Sequence, residues 1–156
     1  MLNSKLIDFF YKALTQEEGR AFAEVKPANV RKLYIPRASI KEQKLLETLY
    51  DYQNYCYSHI SDDNSMTELF VDLFNDIIDG CVYELFFQEH MKEREINIIS
   101  YMYEIIKPIQ GLDVYESFNT IASVHSKIFT TNNPVRTRLK LFVSRSPEYL
   151  KPIIQH

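Results

Sequence analysis

Glycine is scarce in this chain of 156 residues, with only three, at positions 19, 80 and 111, and none adjacent to another. Gly-rich phosphate loops, dinucleotide fingerprints and nucleophile elbows all need clustered glycines, so none of these is encoded. Proline is also sparse, at 6 residues. Sheets of many strands need frequent turn residues, so the shortage of both points to long helices. No apolar run approaches the roughly 18 residues needed to span a bilayer. The start of the chain lacks the basic, apolar and small-residue regions of a secretory signal, and the expectation is a cytoplasmic protein without a membrane partner. Cys56 and Cys81 are the only cysteines. They fall in helix-like segments with no metal-ligand spacing, and are expected as reduced core residues.

What is present is ordinary for a folded domain: 46% hydrophobic and 25% charged residues, consistent with one helical module over residues 1–156. The net charge of -3 conceals a division along the chain. Residues 1–44 carry 9 Lys+Arg against 5 Asp+Glu, residues 45–95 carry 2 against 12, and residues 96–156 carry 7 against 4. An acidic middle repels phosphates, so any nucleic acid belongs on the first third or the last stretch.

The apolar spacing predicts a mainly α bundle. Leu2, Leu6, Phe9, Phe10, Ala13 and Leu14 mark a helix over about 4–15 behind an Asn3 or Ser4 cap. Pro27 forbids a continuous helix through 22–36, where one short extended or irregular segment is expected. Ser39 and Glu42 form a capping box. They open a helix to about His59 whose buried stripe is Ile40, Leu45, Leu46, Leu49, Tyr52 and Cys56. A second capping box, Ser65 with Glu68, opens a helix whose seam is Met66, Leu69, Phe70, Leu73, Ile77, Cys81 and Leu85. These two helices are expected as a long antiparallel pair. After a polar stretch over 88–95, Ile96, Ile99, Met102, Tyr103 and Ile106 predict a helix that Pro108 ends. Asp113 with Glu116 caps another, built on Val114, Phe118, Ile121, Ala122, His125 and Phe129. Asn133-Pro134 has the cap and first-position chemistry of a last one.

Catalytic constellations are not visible. His59, His90, His125 and His156 are scattered, and no site of catalysis, cofactor or metal is expected in this chain. Glu68, Asp72, Asp76, Asp79 and Glu84 fall at threes and fours on one helix and are expected on its solvated outer face, where metal binding is the lesser alternative. The basic cluster offers more. Lys12, Arg20, Lys26, Arg31, Lys32, Arg37, Lys41 and Lys44 surround the irregular segment, with Asn29 inside it. Lys and Arg neutralise phosphates, and Arg and Asn also read base edges through paired hydrogen bonds. The alternative is that these cations merely solubilise an exposed loop.

The run from Leu2-Asn3-Ser4 through Tyr11, the segment from Phe22 through Lys26-Pro27-Ala28-Asn29 to Ile35-Pro36, and Glu42-Gln43 opening a helix resemble the closing part of DNA target-recognition domains. Such domains occur in type I specificity subunits and in TaqI-like adenine-N6 DNA methyltransferases. Phe74 to Phe87 and Asn133-Pro134-Val135-Arg136 resemble the helical tail of large fused restriction-modification methylases. The resemblance implies a C-terminal segment of a longer type IIG-like protein, with 1–44 ending the target-recognition region and 45–156 a helical spacer. The family's methyl-donor glycine motif and Asn-Pro-Pro-Tyr motif are absent, so S-adenosylmethionine is expected in an upstream methyltransferase domain of the parent. Lys12, Arg20, Lys26, Asn29, Arg31, Lys32 and Arg37 are the expected duplex DNA contacts. The competing expectation is a helical interaction or dimerisation module that never touches DNA.

Overall fold

A computed structural model describes residues 4–15, 27–59 and 65–155, with 65–67 given by their helical backbone. Among the described residues there are nine helices and no strand, as the apolar periodicity requires. The first, α1 (Lys5–Thr15), buries Leu6, Ile7 and Tyr11. Ser4 stands at its cap, where its carbonyl accepts from the Asp8 N–H. Next comes α2 (Pro27–Val30), a single turn that starts on proline. Proline suits that position because its missing N–H is one that a first turn leaves unpaired. The segment expected to be extended or irregular therefore contains a helical turn, and only 34–39 runs without regular structure. Residues 22–26 lie outside the described residues.

The centre of the molecule is α3 (Ile40–Ser58) against α4 (Ser65–Phe86). Ser39 and Glu42 make the reciprocal capping box that starts α3. Tyr52 of α3 meets Phe74 of α4 edge-on at 5.1 Å, and Gln53 donates to Asn75. At the other end Glu42 lies close enough to Glu84 to repel its charge. Low numbers on α3 thus face high numbers on α4, the antiparallel arrangement. Ser65 is already helical, and the capping box expected there rests on a side chain outside those described.

The remaining helices wrap this pair. They are α5 (Gln88–Glu93), α6 (Ile99–Ile105), α7 (Val114–Phe129), α8 (Pro134–Arg145) and α9 (Leu150–Ile154). Asp113 with Glu116 boxes the start of α7, and Asn133 caps α8 with Pro134 in its first turn, as expected. Two short helices, α5 and α9, lie where no helix is expected from the sequence. The turn after α5 places Glu95 at φ 55, and the Ile96 N–H reaches back to the Met91 carbonyl. That is the bond of a Schellman ending, usually built on glycine.

One helix crossing depends on glycine. A methyl group at Gly80 of α4 would lie 2.7 Å from Ile98 Cδ1 and 3.0 Å from the Phe142 ring, both buried. The absence of a side chain is what lets α8 approach α4 so closely.

Several expectations about faces fail. Ile40 and Leu69, assigned to buried stripes, are 75% and 59% exposed. Ile40 sits in the first turn of α3. Conversely Asp79 and Glu84, assigned to a solvated face, are buried at 7% and 8%. Each closes the start of another helix. The Lys5 N–H donates to Asp79 Oδ1 at 2.9 Å, and the Ile98 and Ile99 N–H groups both donate to Glu84 Oε2. A carboxylate on a helix start satisfies unpaired N–H donors and complements the helix dipole. Cys56 and Cys81 are free and buried, as expected. Among the described residues no helix is long and apolar enough to cross a membrane.

Candidate nucleic-acid interface

The basic segment follows a short turn and makes one aromatic contact with α4. After α2 the Arg31 N–H bonds the Pro27 carbonyl, Lys32 bonds Asn29 and Leu33 bonds Val30. These bonds turn the chain and leave Arg31 and Lys32 exposed, while Asn29 and Val30 are half-buried. Three residues on, Tyr34 stands edge-on to Phe86 at 6.2 Å, and Phe10 of α1 packs on the same Phe86 ring at 5.7 Å. Phe86 ends α4, so one ring ties α1 and the 31–39 segment to one end of the central pair. The chain then enters α3 through Arg37, exposed, and Ala38, whose carbonyl accepts from Gln43 Nε2 at 2.8 Å.

The expected contact residues divide into three groups. Arg31, Lys32 and Arg37 are exposed and form no ion pair among the described residues. Lys12 is committed to its own helix, 2.7 Å from Asp8 one turn earlier. Arg20 and Lys26 lie outside the described residues. Asn29 shares α2 and its turn with Arg31 and Lys32. Of the neighbouring cations, Lys44 is exposed on α3, and the Lys41 ammonium lies over the Tyr103 ring at 3.9 Å.

Several cations of the last third are already engaged. Arg136 lies over the Phe129 ring and donates to the Phe129 carbonyl. Arg138 covers the Tyr101 ring and bonds its hydroxyl at 2.8 Å. Arg145 pairs with Glu95 at 3.1 Å and also reaches the Arg94 carbonyl. These guanidinium groups serve packing, whereas those at 31 and 37 are presented to solvent.

Sequence spacing missed one pairing of catalytic type: His90 Nε2 lies 2.8 Å from Ser146 Oγ. Fifty-six residues separate them, so no local motif announces the pair. A nucleophilic serine must meet its substrate. Ser146 is fully buried, its N–H closing α8 on Phe142 and its carbonyl accepting from Leu150 and Lys151. The pair ties α5 to the α8–α9 turn. Burial also pushes the Cys56 thiol up to about 11 and the Cys81 thiol still higher, so neither supplies a thiolate near neutrality. Among the described residues no group of His, Cys, Asp and Glu is arranged to hold a metal ion.

Comparison of the chain with protein-family models, with curated proteins and with solved structures finds no match.

Proposed function

We propose that the chain is a non-catalytic, DNA-contacting module whose phosphate contacts come from Arg31, Lys32 and Arg37, with Asn29 beside them. The observation that carries this reading is that those three cations, on one short segment beside the end of a helix pair, are exposed and form no ion pair among the described residues. An unpaired surface guanidinium gives up little on meeting a phosphate, because no internal partner has to be lost. The acidic α4 repels the duplex and favours docking by the basic segment. The resemblance of 2–36 to the end of a target-recognition domain supports the same assignment. On that reading the chain positions an adenine-N6 methyltransferase on its site, and S-adenosylmethionine belongs to the upstream domain of the parent.

Fluorescence anisotropy with a labelled duplex tests the proposal. The chain is expected to bind at low salt, with log K falling against log[salt] by about 0.9 for each phosphate neutralised. Replacing Arg31 and Lys32 by Ala should weaken binding and flatten that slope by about 2. No binding at low salt, or a double variant with unchanged affinity and slope, removes DNA contact from this segment.

A second reading has its own observation. Leu112, Val114 and Tyr115 are exposed at the start of α7, Tyr115 at 74%. Adjacent exposed apolar side chains suit a protein partner or a second copy of the chain better than they suit phosphates. Light scattering separates the readings: a dimer that V114D/Y115D dissociates supports an interaction module, and a monomer at all concentrations excludes self-association.

A further inference from the structure

From Lys26 to Lys41 the chain carries five cations and no carboxylate. One aromatic ring, Tyr34, lies within that stretch, between Lys32 and Arg37 in the sequence, and it is 74% exposed. The ring is held in place: it meets Phe86 edge-on, with the planes at 83° and the centroids 6.2 Å apart, and Phe10 packs on the same Phe86 at 5.7 Å. An edge-on contact occupies at most one face of a ring, so Tyr34 keeps the other open to solvent. Elsewhere in the molecule a cation beside a ring lies on it, as Lys41 does on Tyr103, Arg136 on Phe129 and Arg138 on Tyr101. Among the described residues no cation covers Tyr34, although Arg31, Lys32 and Arg37 stand within three residues of it, exposed and without an ion pair.

Cations alone suit a duplex, a single strand or an acidic peptide equally well. The open ring separates these ligands. A base in a duplex has both faces covered by its neighbours, an unpaired base has a face to stack on an aromatic ring, and a peptide carboxylate has no such surface. We propose that the 31–37 segment binds single-stranded DNA, with one unpaired base stacked on Tyr34 and the flanking phosphates met by Lys32 and Arg37. This rests on the phosphate contacts proposed above and adds that the state of the strand, read by Tyr34, decides affinity.

The test is fluorescence anisotropy of the full chain at low salt with three labelled probes. They are an oligothymidylate of about 12 nucleotides, within the span of one such site, a hairpin duplex with the same number of phosphates, and an abasic strand of the same length. The oligothymidylate should bind about fivefold or more tightly than the other two, the low end of what one base on an aromatic ring contributes. Y34A should erase that preference and leave duplex affinity unchanged, while Y34F should keep it. Y34W gives the chain its only tryptophan, whose emission should be quenched by the oligothymidylate and not by the abasic strand. Equal affinity for all three probes overturns the inference and leaves the phosphate contacts standing, whereas binding to none of them removes those contacts as well. An unquenched Y34W or a Y34A that keeps the preference also overturns it. So does poly-L-glutamate bound as tightly as the oligothymidylate, which would mark an acidic polypeptide as the ligand.

Discussion

Glu84 illustrates how one buried side chain governs more than its own helix. Burial raises its pKa, and the Ile99 and Ile98 N–H groups pull it only partly back. A carboxyl group with a raised folded pKa adds most to stability below its unfolded value, about 4.3. That contribution is lost as pH rises through the folded value. Relative to E84Q, the wild type should therefore lose stability between about pH 4.5 and pH 7, measured by urea unfolding at both; a constant difference contradicts the assignment. His125 works in the opposite sense. Burial lowers its pKa, and it is packed between Phe70 and Phe129 at 4.6 and 4.5 Å with Nε2 unpartnered among the described residues. Its contribution is present above the unfolded imidazole value, about 6.5, and is lost as pH falls through the folded value. H125L should remove this loss, so thermal melts of variant and wild type should diverge on acidification below about pH 6.5.

At the scale of the helix, three starts were legible and the partners were not. The two boxes Ser39/Glu42 and Asp113/Glu116 and the Asn133-Pro134 start are local chemistry, complete within four residues, and all three form as expected. The start of α6 has no cap of its own and borrows Glu84 from 14 residues away, so no local pattern reveals it. The same distinction explains Gly80. Spacing marks it as one more position in α4, and only the approach of Ile98 and Phe142 makes it necessary. G80A gains about 1 kcal/mol of helix propensity against overpacking of about 1–3 kcal/mol. The Phe142 ring is held in the core, so the variant should be destabilised by about 1 kcal/mol net, read from the shift in urea midpoint. A stabilised G80A contradicts the close crossing. The candidate interface divides similarly: a cluster of Lys and Arg is visible in the sequence, yet Lys12 is taken up by Asp8 while Arg31, Lys32 and Arg37 form no ion pair among the described residues.

For the molecule as a whole, one core joins the helices. Leu6 of α1, Leu49 of α3, Phe74 of α4, Met102 of α6, Ile121 of α7 and Phe142 of α8 belong to a single buried cluster. Elements that share a contiguous core unfold together. Far-UV circular dichroism and tyrosine fluorescence should then report coincident urea transitions, and a separate early transition in either would mark a part that folds independently. What the sequence alone determined is the helical class, three cap positions, the long α3–α4 pair and the charge division, because periodicity, cap chemistry and composition act over a few residues. Only the tertiary structure decided that Asp79 and Glu84 lie inside, that Ile40 and Leu69 face solvent, and which cations form ion pairs. Each of these depends on which helix arrives against a given face, and residues far apart in the chain settle that.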